Sequence, residues 1–473
     1  MCSASARTTH RGACPTLACG SKPASVLVSL LACSVCCSTP NATARTMRRM
    51  CSRMLTMPER CSRTAWLLLL AVLLAACSTR PLAVPPTPVP AGAAADRHVR
   101  TYDAFWDNLQ GSYLYQGSAG FDFEKLRAEK RLAAYADLSE TEFSGLMQAL
   151  TEPFPSGSVT YRSRAKRIQE DLANTISYEG IGAYVSVLKE PDPRIVLLAV
   201  VEKSPAQAAG LAAHDAILSV DGQPVLAAEG LDVIQRVRGP AGSVVSLDVR
   251  APDGARRTVD VTRGRLAAAD QLRGGSLGAS QIGFLRLPVG AGNELATALP
   301  AALQSMAGKY SNGLLLDLRV AHSADDWPLL ELLAIFGNGP MGKISGTSEQ
   351  TPLTVTGQDV GGTQKVPLVL LVGAETQGAS EIFAAALQAS RRAVLVGQPT
   401  PGKVMRYNTS TLPDGSQMYY AISSYINPAG VDIGRSGVKP DVAVPDVWDQ
   451  VNDKYDPVIL RALQQITSDA PPG

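Results

Sequence analysis

The sequence predicts an α/β protein: an α/β core preceded by a β-rich module, with a helical segment ahead of both. Three observations predict it. From Gln281 to Pro445 apolar strand-like runs alternate with helical stretches, the pattern of a largely parallel, buried sheet layered with helices. From Tyr178 to Arg265 short β-rich runs are punctuated by Gly, Pro and Asp turns. From Asp96 to Ala173 apolar residues recur at three- and four-residue spacing, which predicts helices.

The front of the chain is of another kind. All nine cysteines fall between Cys2 and Cys77, so disulfides and thiolate zinc sites are excluded from the body of this 473-residue chain. Residues 1–53 read as an upstream-start extension and 54–77 as a signal segment. "WLLLLAVLLAA", Trp66 to Ala76, follows Arg60 and Arg63; it is too short to span a bilayer and suits a signal-peptide apolar region. The quartet Leu74-Ala75-Ala76-Cys77 resembles a bacterial lipobox, which implies a lipid on Cys77 and attachment to a bacterial membrane, facing the periplasm or cell exterior. An ordinary secretory signal with an incidental Cys77 is the alternative, and either one exports the body. Residues 78–95, "STRPLAVPPTPVPAGAAA", form a Pro/Ala-rich tether. With 44 basic against 42 acidic residues the chain is nearly neutral, which argues against nucleic acid as a partner. Without clustered His, Asp and Glu ligands, no metal and no cofactor are expected.

In the helical segment, 96–173, Ser139 and Thr141 of "LSETEFSGLMQAL" suit a helix start beside acidic residues. In the β-rich module, 174–265, the strands "AYVSVL", "IVLLAVV", "AILSVDG" and "VVSLDVRA" enclose "SPAQAAGL" and the helix-like "LDVIQRVRG". Taken together, this stretch resembles a PDZ domain over its full length. The resemblance implies that an extended protein C-terminus adds to a sheet edge. Its carboxylate would be held by backbone N–H groups of Gly180-Ile181-Gly182-Ala183, with the helix from Val233 to Val237 as the other wall. A module that only packs against its neighbours is the alternative. The core, 266–447, carries the strands "IGFLRLPV", "GLLLDLRV", "VPLVLLVG" and "AVLVG" between helices, and 448–473 is a C-terminal segment.

Lys403 ends a Gly/Pro loop. A buried lysine sheds its proton more easily and then serves as general base for a serine, a known variant of serine nucleophile activation. The stretches "GLLLDLR" (313–319), "ASEIFAAALQ" (379–388), "VLVGQPTPGK" (394–403), "LPDGSQMYYAISSYINPAG" (412–430) and "GVKPDV" (437–442) resemble the tail-specific, or carboxyl-terminal processing, serine peptidases. The likeness covers nearly everything after the tether. It implies a crotonase-like α/β peptidase core with the PDZ module inserted, and a Ser/Lys dyad whose serine stands twenty-five residues before the lysine in a stretch like S-A-S-A-S-E-I.

Counting back from Lys403 reaches Gly378, inside "TQGASEI". The base is retained and the nucleophile serine is lost; Ala379 takes the place of the oxyanion N–H donor. Members of the family follow L-D-L-R with N-x-G-G, where this chain has Val320-Ala321-His322-Ser323-Ala324, and loss of one oxyanion donor costs about 10²–10³ in rate. The glutamine found four residues after the lysine is Tyr407 here. Two expectations follow. One is a pseudo-peptidase that captures C-terminal tails or unfolded proteins. The other is an active endopeptidase using Ser380 or Thr376 with Lys403, although two residues along a helix turn Ser380 about 200° from Gly378, toward a helix-capping role.

Overall fold

The computed structural model describes residues 93–468 apart from 119, 135–137, 169–179, 265–268, 278–279, 446 and 453–454. The extension, the signal segment with Cys77 and most of the tether lie outside the described residues. Helix begins three residues inside the stretch read as tether: α1 (Ala93–Leu109) is followed by α2 (Phe123–Ala134) and α3 (Glu140–Ala149). Ser139 opens α3 with a reciprocal capping pair, its hydroxyl accepting the Glu142 N–H while the Glu142 carboxylate accepts the Ser139 N–H. Tyr102, Phe105, Trp106 and Leu109 line one face of α1 and are buried. That face is not closed by helices alone. Strand β1 (Val159–Arg162) pairs antiparallel with residues 417–420, and the same apolar cluster takes in Met405, Leu412 and Met418. Segment 96–173 therefore shares a core with the α/β part, and it contains a strand that helical periodicity did not signal.

The module comprises β2 (Ala183–Leu188), β3 (Arg194–Val200), α4 (Pro205–Ala208), β4 (Ala216–Val220), β5 (Gln223–Pro224), α5 (Ile234–Val237), β6 (Val244–Arg250) and β7 (Arg256–Thr262). The strands run antiparallel in the order β2-β3-β4-β6-β7, with β5 on β4, so β2 is an edge. The Arg263 guanidinium donates to the carbonyls of Val237 (2.9 Å) and Arg236 (3.0 Å), satisfying the C-terminal end of α5. Val233 and Val237, read as a groove wall, are instead buried with Ile181 in the module's own core. Val233 ends the helical turn leading into α5 and Val237 ends α5 itself; four residues apart, they share a face, and that face is the inner one. Of the apolar residues on α5, Ile234 is the one that reaches the surface.

The core continues with β8 (Arg273–Ser276), β9 (Ile282–Arg286), α6 (Leu295–Ser305), β10 (Gly313–Asp317), α7 (Leu329–Phe336), β11 (Gly339–Gly346) and β12 (Gln350–Val355). Then come β13 (Leu368–Val372), α8 (Ala379–Ala389), β14 (Val394–Gly397), β15 (Arg406–Thr411), β16 (Gln417–Ile426), α9 (Ile433–Ser436), β17 (Val442–Ala443) and α10 (Pro457–Ser468). One sheet has the order β17-β14-β13-β10-β9-β8, parallel except for β8. Its residues alternate between two apolar layers, as strands must. Leu314, Leu316 and Leu370 pack with Leu299, Leu333 and Phe383 of α6, α7 and α8, whereas Leu315, Val369 and Leu371 pack with Val458, Ala462 and Ile466 of α10. The C-terminal segment is thus the second helical layer of the sheet. The other sheet has the order β1-β16-β11-β12, with β15 on β16.

Residues between β17 and α10 dock the module. Asp449, 1% exposed, accepts from Arg194 of β3 (2.7 Å) and Arg250 of β6 (2.6 Å), while the Trp448 indole donates to Leu197 O (3.0 Å). Burial alone would raise the Asp449 carboxyl; the two guanidiniums outweigh it and hold the group below the ordinary carboxylate value. A depressed value means that the pair's contribution is complete above about pH 4 and is lost as pH falls through the folded-state value. Asp449→Asn leaves two guanidiniums without their anion, and we expect it to cost about 3–5 kcal/mol at pH 7 in urea unfolding followed by tryptophan fluorescence. The difference from the parent should shrink in acid; an equal loss at pH 3 and pH 7 would contradict the electrostatic origin.

Candidate active site

The cleft lies at the C-terminal ends of β10, β13 and β14, where parallel sheets collect their functional loops. After β13 the chain turns through Gly373–Gln377 and enters α8, with Gly378 just before the helix at φ +75°, ψ −135°. That conformation strains any L-residue, and it belongs to the sharp strand-to-helix turns that present nucleophiles. The turn keeps the shape while its residue carries no side chain.

Hydroxyls on either side of Gly378 hold the turn in place. Thr376, fully buried, accepts the Gly373 N–H (3.0 Å) and donates to Leu318 O (2.8 Å). Ser380, also fully buried, donates to the carbonyls of Ala321 and Gln377. Neither hydroxyl hydrogen-bonds to Lys403. Each instead stitches the turn to the segment leaving β10, as expected for polar groups that cannot be buried unpaired. The dyad of Ser380 or Thr376 with Lys403 is not assembled.

Lys403 is exposed, and its ammonium donates to the Gln377 carboxamide oxygen (3.1 Å). Its main-chain carbonyl accepts the Gly378 N–H (3.1 Å), so the lysine loop and the turn are joined directly. Below them Glu381, fully buried, accepts from the Thr400 hydroxyl and the Gly402 N–H (2.6 Å), pinning the loop to α8. Burial pushes the Glu381 carboxyl up, against these donors and the nearby Lys403. The Gln377 amide nitrogen donates to Ala374 O (3.1 Å) and Glu375 Oε2 (2.9 Å), and Glu375 Oε1 accepts from Ser186 on β2 (2.5 Å). A polar chain therefore runs from the module's edge strand to the lysine. A cleft of about 340 Å³ flanks it, lined in part by Ser186, Leu198, Val320, Glu375 and Trp448.

The residue that sequence reasoning passed over is Ser323. It stands in the loop after β10, where the resemblance leads one to expect glycines, and its hydroxyl reaches across to the turn. The Ala379 N–H donates to Ser323 Oγ (2.8 Å), which donates to Gln377 O (3.2 Å). A Cβ built on Gly378 would meet Ser323 Oγ well under 3.0 Å away. The space a side chain at 378 would fill is thus held by a hydroxyl from the opposite wall, and the N–H expected to serve an oxyanion is spoken for. The signal in the sequence was a serine where the resemblance implies glycines, together with a glycine where it implies a serine.

In the module, Gly180 O accepts the Gly264 N–H, Ile181 O the Ala206 N–H and Gly182 O the Val201 N–H, which anchors the loop before β2. Gly182 takes φ +84°, on the side favourable to glycine. Among the described residues the amides of Ile181 and Gly182 donate to no acceptor, while Ala183 already lies in the β2–β3 ladder. No group of three or more His, Cys, Asp or Glu side chains that could hold a metal is found among the described residues.

Comparison with known proteins agrees with this architecture. Residues 281–444 match peptidase family S41, and residues 196–251 match the PDZ domain family. A carboxyl-terminal-processing protease of Picosynechococcus is 32% identical over 309 residues, covering 61% of this chain and 70% of that protein. The chloroplastic carboxyl-terminal-processing peptidase 2 of Arabidopsis thaliana is 24% identical over 352 residues, 72% of this chain and 67% of that one. Among solved structures, a photosystem II D1 C-terminal processing protease superposes with a TM-score of 0.52 at 23% identity, covering 73% of this chain and 93% of that chain, which supports the fold. With its α/β core, its β-rich module and the order of its motifs all accounted for, the chain belongs to peptidase family S41, the carboxyl-terminal-processing serine proteases.

Proposed function

We propose that this protein is an exported receptor for protein C-terminal tails, or for unfolded chains that expose them, whose peptidase machinery is impaired. The observation that carries the reading is Gly378: the residue that the resemblance sets at the nucleophile position stands in a strained turn before α8 and has no hydroxyl, while the Lys403 ammonium is engaged by Gln377. Recognition requires no hydrolysis. The free edge of β2 supplies main-chain pairing and the unclaimed amides of Ile181 and Gly182 are suited to a terminal carboxylate. Peptides from a cleavable client should bind the full chain, and the same peptides with amidated C-termini should bind at least about tenfold more weakly, the loss expected when a charge-assisted contact is removed. Equal affinity for both forms, read by fluorescence anisotropy, sinks the receptor reading.

Impairment has its own test. A serine at 378 must displace the Ser323 hydroxyl from both of its hydrogen bonds and meets a lysine already engaged by Gln377. Gly378→Ser is therefore expected to show no more cleavage of an unstructured peptide than the parent, and a gain to the level of an active relative would refute this account.

Export and the anchor are supported by the apolar run from Trp66 to Ala76 and by the quartet ending at Cys77. In a bacterial host Cys77→Ser should move the protein from the membrane fraction to the soluble exported fraction. Retention in the membrane fraction would exclude lipid on that sulfur.

A further inference from the structure

The hydroxyl missing from residue 378 has a counterpart in the same space. We infer that Ser323 is a transplanted nucleophile, able to take an acyl or phosphonyl group at the site where the family's serine would stand. Three features carry this. Ser323 Oγ occupies the volume of a residue-378 side chain. It accepts the N–H of Ala379, the first residue of the eleven-residue helix α8, and partial positive charge at a helix start favours a developing alkoxide. Lys403 sits on the adjoining wall, held by the carboxamide of the residue whose own main-chain oxygen accepts the Ser323 hydroxyl.

The step balances with these groups. Ser323 Oγ bonds to the carbonyl carbon of a bound acyl donor, and its proton passes to the Lys403 side chain after Gln377 releases it and it has given its own proton to solvent. The amine then protonates the leaving group as the carbon–leaving-group bond breaks, and water later cleaves the ester. Acylation also frees a donor. As Oγ bonds to the carbonyl carbon it becomes a weak acceptor, which leaves the Ala379 N–H available to the oxyanion of that tetrahedral species before it collapses to the ester. The engagement of Lys403 by Gln377 explains why such a site is slow: the base must leave one partner before it serves another. Slow acyl transfer at Ser323 is compatible with impaired peptidase function, and it does not depend on tail binding.

The test uses the full chain and an alkyl fluorophosphonate, whose P–F bond is replaced by a P–O bond to serine with loss of fluoride. Mass spectrometry should place one label on the peptide containing Ser323. Ser323→Ala should abolish that label, Ser380→Ala should keep it, and Lys403→Ala should slow it by about 10²-fold, the lower end of general-base contributions. Ser323→Cys should be alkylated by iodoacetamide at residue 323 more slowly once Lys403→Ala is added, a dependence that a merely accessible thiol would not show. An unlabelled parent, a label that survives Ser323→Ala, or a rate indifferent to Lys403→Ala overturns the inference. Loss of the preference for free over amidated tails, with labelling intact, overturns only the receptor reading.

Discussion

Hydroxyl groups donating to main-chain carbonyls join the two segments that leave β10 and β13, and the cleft takes its form from that seam. Thr376 reaches Leu318, Ser380 reaches Ala321, and Ser323 reaches Gln377 from the other side. All three bridges lie at the ends of adjacent parallel strands, where the backbone has left the sheet ladder and its polar groups need partners. With the seam closed, Gly378 is held in its strained turn and Lys403 is drawn in through the bond from the Gly378 N–H to its carbonyl. A seam of this kind holds the turn without any contribution from a side chain at residue 378.

Charge organises the second junction. Asp449 is removed from water and survives as an anion because two arginines of the module converge on it. The same stretch brings Trp448 against His214, with the ring centroids 4.2 Å apart, and under the guanidinium of Arg319. Arg319 itself lies between Asp317 (2.8 Å) and Asp456 (2.7 Å), tying the end of β10 to the start of α10. The module's placement and the core's C-terminal layer thus rest on two sets of ion pairs, one centred on Asp449 and one on Arg319, with Trp448 between them. Such sets tolerate little relaxation, because removal of any member strands another charge in low dielectric. The polar chain from Ser186 through Glu375 and Gln377 to Lys403 lies beside this junction and connects the edge strand with the lysine.

The relation between hydroxyl and helix explains the differing fates of the serines near the turn. Ser380 is inside the helix and its oxygen is committed to carbonyls one turn back and across the seam. Ser323 is outside the helix, in a loop that approaches the helix start from the front, so its oxygen accepts the Ala379 N–H as well as donating to the Gln377 carbonyl. Position relative to α8, rather than distance along the chain from Lys403, sets what each oxygen can do.

Much of this was legible in the residues. The parallel sheet followed from "GLLLDLRV", "VPLVLLVG" and "AVLVG", because strands covered on both faces must be apolar throughout. Strand β1 was not legible, because four residues carry little period and its partner lies some 260 positions away in the chain. Nor were the inward turn of Val233 and Val237, the layer formed by α10, or the parking of Lys403 on Gln377. Ser323 is the clearest case: its identity was in plain view, but its meaning depended on a contact across 55 residues that exists only once β10 and β13 lie side by side. Local pattern determines which segments bury which faces; the meeting of side chains from different loops is decided by the packing that closes them together.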